Sequence, residues 1–162
     1  MRAARAIGVA RALPVLLATA ALAACGGEPA SAPAPRPAAT CTAGYDTGDD
    51  LSPSYKPNAP VRTVVGHGHV LTGVVRSGRD CTPVAGARVE LWPEIAGQGH
   101  PDAQRATVLA AADGSYRFES DPPEHIHMRV SAPGFRPLAT NRYHSEGHPT
   151  GRFDILLTPA AG

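Results

Sequence analysis

The chain has 162 residues and a formal net charge of +1, from 15 basic and 14 acidic side chains. Its 17 Gly and 17 Pro oppose long helices, since each costs roughly 1 kcal/mol (Gly) or 3 kcal/mol (Pro) in a helix interior. The balanced charge gives no electrostatic case for binding nucleic acid. No long apolar run follows the first 25 positions, which excludes a multi-span membrane protein.

The first 24 residues are predicted to be a signal peptide. Arg2, Arg5 and Arg11 supply a positive start, and an apolar run follows over Ala12–Ala24. The run ends in LAACG, which resembles a bacterial lipobox and would make Cys25 the lipidated first residue of the mature protein. We therefore expect an extracytoplasmic protein held to a bacterial membrane only by its lipid. The alternative is an ordinary signal peptide that leaves Cys25 as a thiol. Removal of the three Arg would turn the net charge negative.

Residues 25–51 are predicted to be a linker. Pro alternates with small residues from Glu28 to Thr40, a pattern that favours extended chain and cannot bury a core. Cys41 and Cys81 remain once Cys25 is assigned to lipidation. Because two remaining Cys in an exported protein favour pairing, we predict a Cys41–Cys81 disulfide, although spacing alone does not establish it.

Residues 52–160 are predicted to form one all-β domain, a small β-sandwich of about eight short strands. Short runs rich in β-formers alternate with turn signals, among them Asp113-Gly114 and Pro133-Gly134, and no helical periodicity stands out. The predicted strands are Val61–Val65, Val70–Arg76, Arg88–Trp92, Thr107–Ala111, Ser115–Glu119, His125–Ser131, Leu138–Tyr143 and Phe153–Leu157. Trp92 and Phe118 are candidate core residues.

The sequence contains two His-x-His pairs, of which His125 and His127 are the candidate metal ligands. His125 and His127 project from one face of a strand because side chains alternate, so both rings can reach one ion. Without a ligand from another segment, the pair is simply two solvent-facing rings. His67 and His69 have the same spacing but flank Gly68, which is typical of a turn. His144 and His148 lie in a polar loop and are expected to be exposed; they, like His67 and His69, stay unassigned.

Several stretches resemble the intradiol ring-cleavage dioxygenases, in unbroken order from about Ser52 to Leu157. One is the HIH segment His125–Phe135, and another is the hairpin over Leu71–Val75 and Pro83–Trp92. The remaining stretches are Ser52–Tyr55, Pro60–Arg62, Asp113–Phe118 and Leu138–Gly147. The resemblance implies a non-haem ferric ion (Fe3+), bound by two Tyr and two His, that cleaves a catechol between its hydroxylated carbons.

Carried over residue by residue, the resemblance makes His125 and His127 the two His ligands, but neither Tyr ligand is present. His100 stands where the first Tyr is expected, and the shortened loop before His125 contains no Tyr. Tyr55, Tyr116 and Tyr143 are expected to be structural, although a rearranged loop could bring Tyr55 near the site. The implied site is therefore His100, His125 and His127, with Glu124 or water beside them.

Three functions follow from these residues. The first is an exported, lipid-anchored intradiol dioxygenase-like protein that cleaves a small catechol-like aromatic; the missing Tyr ligands leave open whether it is an enzyme. The second is a non-catalytic protein that binds copper or zinc, metals suited to imidazole ligands. The third is an anchored sandwich for adhesion or carbohydrate contact. Substrate identity and oligomeric state are not encoded in recognisable motifs.

Overall fold

The computed structural model describes Cys41 and Pro53–Ala161, except for the side chain of Arg142. The predicted signal peptide, Cys25 and most of the predicted linker lie outside the described residues. No described helix is long and apolar enough to span a membrane.

Eight strands and one short 3-10 helix make up the domain, as the sequence predicts for an all-β sandwich. The elements are β1 (His69–Ser77), β2 (Arg88–Ile95), the 3-10 helix η1 (Asp102–Gln104), β3 (Ala106–Leu109), β4 (Ser115–Ser120), β5 (Pro123–Ser131), β6 (Leu138–His144), β7 (Thr150–Arg152) and β8 (Ile155–Leu157).

The strands form two sheets that pack face to face. In the first sheet, β1 pairs with antiparallel β4 on one side and with parallel β7 and β8, in turn, on the other. The second sheet is antiparallel throughout, in the order β3-β2-β5-β6. Alternate side chains of both sheets, including Leu71, Phe118 and Ile126, fill the core between them. The opposite face of the second sheet carries the candidate ligands.

Two predicted strands differ from the structure, and one observed strand was not predicted. Residues 61–65 make only isolated bridges, Val61 to Thr107 and Val64 to Glu119, because this segment passes from the edge of one sheet to the edge of the other. The predicted strand Phe153–Leu157 begins only at Ile155, and β7 was not predicted. Phe153 and the Asp154 carboxylate instead interrupt the pairing beside β1, where Phe153 N bonds Thr72 O and Val74 N bonds the carboxylate.

Strand β2 continues through Pro93 to Ile95, although the sequence predicts that it ends before Pro93. Pro93 pairs with Ile126 of β5, while pairing with β3 already stops at Leu91. The Pro93 carbonyl faces the open edge, where it accepts a hydrogen bond from His100. A residue's N and O point to the same side of a strand, so the missing N–H of Pro93 falls where no ladder partner is needed.

Candidate metal centre

Four donor side chains meet at one end of the second sheet: Glu94, His100, His125 and His127. One ligand atom from each lies within 4.8 Å of the corresponding atoms of the others. The Nε2 atoms of His125 and His127 are 3.0 Å apart, and Glu94 Oε2 lies 3.1 Å from His125 Nε2 and 3.8 Å from His100 Nε2. The structure thus brings together all three His residues that the sequence predicts for the site.

The register between β2 and β5 places three of the four side chains on one face of the second sheet. His125 and His127 project from the same face of β5, and Glu94 and Trp92 occupy the paired positions on β2. His125 therefore sits opposite Glu94, and His127 sits opposite Trp92. This arrangement follows from the two-residue alternation of a strand, which also sends Ile126 into the core.

The turn after β2 delivers His100. Ile95 N bonds Gly99 O, and Gly97 and Gly99 adopt positive φ angles of 71° and 66°, which only a residue without Cβ adopts easily. His100 Nδ1 lies 3.2 Å from the Pro93 carbonyl oxygen and, as the donor of that bond, leaves its Nε2 lone pair directed at the cluster. A bond of this kind, from the ring nitrogen that does not face the metal to a backbone carbonyl, fixes the tautomer of a metal-binding histidine.

Glu94, rather than Glu124, is the carboxylate of the cluster. Glu124 is exposed and lies outside the four-residue group. Sequence reasoning missed Glu94 because it ended the strand at Trp92; the alternation of Glu90, Trp92 and Glu94 on one face would have identified it had the strand been extended.

The cluster is shielded but remains open to solvent at its rim. The side chains of His100, His125 and Glu94 are 14%, 20% and 33% exposed. Burial lowers the pKa of His125, the charges of His144 and His100 act in the same direction, and those of Glu94 and Glu124 oppose it. Burial thus favours the neutral, metal-binding form of His125, and the exposed rim leaves the donor atoms accessible.

Aromatic rings surround His127. Its ring stacks on Trp92 with centroids 5.7 Å apart and planes 3° from parallel, and Tyr55 packs on Trp92 at 5.1 Å. Trp92 is buried, as expected, but on the outer face of the sheet instead of in the core. Phe118 is in the core as predicted. Tyr55 is thus separated from the cluster by one ring.

The other histidines have different surroundings. His69 is fully buried: its Nδ1 lies 2.7 Å from the His148 carbonyl oxygen and its Nε2 lies 2.7 Å from the Tyr143 hydroxyl, which indicates a structural role. His67 is exposed and contacts Glu119. His144 is exposed, with its ring 5.5 Å from that of His125.

Tyr116 is structural, as expected, because its buried hydroxyl donates to the Phe153 carbonyl at 2.6 Å.

Cys41 and Cys81 are joined by a disulfide with Cα atoms 5.5 Å apart. An open depression of about 490 Å3, bordered by Thr72, Ser115, Arg117 and others, shares no residue with the cluster.

Residues 70–158, more than half of the chain, match the carboxypeptidase regulatory-like domain. The chain belongs to the carboxypeptidase regulatory-like domain family. No curated protein sequence matches this regulatory-like domain significantly.

Solved structures similar to this regulatory-like domain include intradiol-type dioxygenases. The dioxygenase domain of a dioxygenase carbohydrate-binding protein fusion from Streptomyces sp. SirexAA-E is 24% identical, with a TM-score of 0.56 over 68% of this chain and 96% of that one. Hydroxyquinol 1,2-dioxygenase from Pseudomonas putida DLL-E4 is 14% identical, with a TM-score of 0.59 over 75% and 68%. 3-Chlorocatechol 1,2-dioxygenase from Rhodococcus opacus 1CP is 13% identical, with a TM-score of 0.58 over 67% of this chain and 70% of that one. At these identities the likeness establishes a shared dioxygenase-like fold.

Proposed function

We propose that this protein binds one divalent transition-metal ion through His100, His125, His127 and Glu94. The convergence of four donor atoms from β2, β5 and the turn after β2 is the observation that supports this function. Ligand bonds of about 2.0–2.2 Å in a tetrahedral site separate neighbouring donors by roughly 3.3–3.6 Å. The separations of 3.0, 3.1 and 3.8 Å lie on both sides of that range.

The donor set fits a divalent ion better than a ferric ion held by tyrosinates. The hydroxyls of the described tyrosines Tyr55, Tyr116 and Tyr143 contact Glu90, the Phe153 carbonyl and His69, none of which is one of the four donors. Three neutral imidazoles and one carboxylate supply a single negative charge, and imidazole suits Zn(II), Cu(II) and Fe(II). With these four ligands in place, such an ion would act as a Lewis acid only toward an oxygen bound as a fifth ligand at the open rim.

The first experiment is metal analysis of the protein purified without added metal, followed by calorimetric titration with Zn(II), Cu(II) and Fe(II). We expect one ion per chain and loss of binding in His125→Ala. His67→Ala is the matched control, because His67 is exposed, contacts Glu119 and is not one of the four donors, and it should bind as the unaltered protein does. A protein that takes up none of the three ions would refute the proposed site.

Oxidative cleavage of a catechol-like ring is the second candidate function. The dioxygenase-like fold favours it, since proteins of this fold include enzymes named for hydroxyquinol and 3-chlorocatechol. In this chain His100, His125, His127 and Glu94 would hold the iron, and Trp92, which stacks on His127, would restrict access from one side. Iron-loaded protein incubated with catechol or hydroxyquinol under air should yield a ring-opened product, and absence of product from both substrates would eliminate this candidate.

We also propose that the protein is exported and anchored by lipid at Cys25. The supporting observation is the LAACG sequence after the charged and apolar start. In a bacterial host, the protein should fractionate with membranes and carry acyl chains on Cys25 by mass spectrometry. Cys25→Ala should move it to the soluble fraction or leave it unprocessed; unchanged membrane association with an unmodified Cys25 would contradict the anchor.

A further inference from the structure

We infer that the segment Pro53–Arg62, here called the strap, positions two of the four metal ligands, His127 and His100, so that metal affinity depends on its docking. This inference rests on the proposed metal site. The strap lies before β1 in the chain and contacts β2, β3 and the residues around η1, the elements that surround His100 and Trp92. Two separate routes lead from it to the ligands.

The first route runs through stacked rings to His127. Tyr55 packs on Trp92, and Trp92 stacks on the His127 ring. The Tyr55 hydroxyl lies 3.3 Å from both carboxylate oxygens of Glu90, to one of which it donates, and Arg129 holds the same carboxylate at 2.9 Å. The Glu90 side chain is only 4% exposed, so this anchor point is firm. Trp92 thereby limits rotation of the His127 ring, and Tyr55 limits movement of Trp92.

The second route runs through backbone carbonyls to the His100 turn. Arg62 donates through Nη2 to the carbonyls of Ala103 at 2.9 Å and Arg105 at 2.7 Å, and through Nε to Arg105 O at 3.1 Å. Lys56 Nζ lies 2.7 Å from Asp102, which also accepts from Arg105 Nε at 2.9 Å. Arg105 Nη2 in turn donates to the His100 carbonyl at 3.4 Å.

Backbone bonds hold the strap to the free edge of β3. Thr107 N donates to Pro60 O at 2.8 Å, and the Thr107 hydroxyl donates to Ala59 O at 2.9 Å. The strap is therefore a docked element and not merely a passing chain. The exposed Lys56–Asp102 pair contributes little by itself, since exposed ion pairs are worth about 0–1 kcal/mol. Tyr55 and Arg62 consequently carry most of the coupling.

The test of the first route measures Zn(II) affinity by competition with a chelator in the full chain. Tyr55→Ala should weaken binding about 10-fold, the lower end of the effect typical of residues that orient metal ligands. Tyr55→Phe keeps the ring on Trp92 and loses only the 3.3 Å bond to Glu90, so its affinity should lie within about 2-fold of the original and well above that of Tyr55→Ala. Tyr116→Phe, which loses a buried hydrogen bond in the other sheet, should lower the melting temperature without changing affinity.

The test of the second route is a double-mutant cycle. Arg62→Ala should weaken Zn(II) binding in the original chain but have no further effect in a His100→Ala background, where the ligand that it positions is gone. An equal loss in both backgrounds would show that Arg62 acts on stability or on other ligands, and would overturn this route.

Binding must also act back on the strap, since coupling between two sites is reciprocal. Zn(II) should slow amide hydrogen exchange over residues 53–62 in the original protein and much less in Tyr55→Ala. If the original protein takes up neither Zn(II), Cu(II) nor Fe(II), the proposed function fails. If it binds Zn(II), but Tyr55→Ala binds equally well and exchange in the strap is unchanged, only the positioning role fails.

Discussion

Individual side chains decide which chemistry this sandwich supports. Glu94 lies close to His100 in the sequence, and Glu124 directly precedes His125. Of these two carboxylates, only that of Glu94 has an oxygen within 4.8 Å of the other donors. Glu94 enters the site because it shares a face of β2 with Trp92 and pairs with His125. One carboxylate among three imidazoles sets the charge of the site and hence favours divalent ions.

Glu94 and Glu124 therefore provide a matched pair of substitutions. Glu94→Gln should weaken Zn(II) affinity roughly 10- to 100-fold, since it removes the anionic ligand and one partner of His125. Glu124→Gln should change affinity by no more than about 2-fold, because screened charges at the surface interact weakly. Titration calorimetry of both variants measures the difference, and equal losses would place both carboxylates at the metal.

The buried pair of Tyr143 and His69 offers a prediction about stability. Tyr143→Phe should lower the free energy of unfolding by about 1–2 kcal/mol, because the buried His69 Nε2 loses its hydrogen-bond partner. Denaturant titration at pH 7 measures this loss, and Tyr116→Phe gives the comparison for a tyrosine that donates to a backbone carbonyl.

The same variant should change how the free energy of unfolding depends on pH in alkaline solution. Burial raises the pKa of Tyr143, so the folded protein keeps a proton that the unfolded chain releases near pH 10. The stabilising contribution is thus complete below about pH 10 and is lost as the pH rises through the folded pKa. Between pH 9 and 11, the free energy of unfolding of Tyr143→Phe should fall less than that of the original protein. An equal fall in both proteins would contradict a raised pKa for Tyr143.

At the scale of elements, β1 is the strand on which the first sheet depends. Its two neighbours β7 and β8 are separated by Phe153 and Asp154, whose backbone turns toward β1 at Gly73. A Cβ at Gly73 would collide with the Phe153 carbonyl and with the Tyr116 ring, whereas one at Gly78 would meet only ordinary contacts. Glycine at 73 therefore allows the close approach that holds two short strands against one long strand.

Gly73→Ala should lower the free energy of unfolding by about 1–3 kcal/mol, the usual cost of forcing an extra carbon into a packed site. Gly78→Ala, five residues further along the chain, should change stability by less than about 0.5 kcal/mol, as most unconstrained surface substitutions do. Thermal and denaturant unfolding of both proteins would measure the contrast, and equal effects would show that the crossing at Gly73 relaxes easily.

For the whole molecule, the disulfide joins Cys41 to the connection between β1 and β2. Cys41 and Cys81 are 40 residues apart, and the enclosed chain includes the strap and all of β1. Because a sandwich of this size has a thin core, a crosslink that restricts the unfolded chain contributes a large share of its net stability.

Replacing both cysteines by serine should lower the free energy of unfolding by about 2–4 kcal/mol, since a loop of this length restricts the unfolded chain considerably. Unfolding of the double variant, compared with the original protein with and without reductant, measures this contribution. The reduced original protein should match the double variant, and a disulfide-free protein of unchanged stability would contradict the expectation.

The amino-acid sequence by itself determined the fold class and half of the site. Alternation in His125-Ile126-His127 placed two rings on one face, and turn signals such as Asp113-Gly114 separated β3 from β4, because these patterns act over a few residues. The resemblance to the intradiol dioxygenases also pointed to His100. Alternation and turn signals involve only neighbouring residues, and a family resemblance is carried by the order of the residues, so both can be recognised in the sequence alone.

Only the tertiary structure decided that Glu94 completes the cluster and that Trp92 stacks on His127. It also decided that the strap contacts Trp92 and the residues that follow His100. Pro93 signalled the end of a strand in the sequence, but the missing neighbour beyond Leu91 made Pro93 acceptable within β2 and carried Glu94 into the site. Such outcomes depend on which strand edges are free and on which distant segments meet. They are properties of packing, which no local pattern of residues specifies.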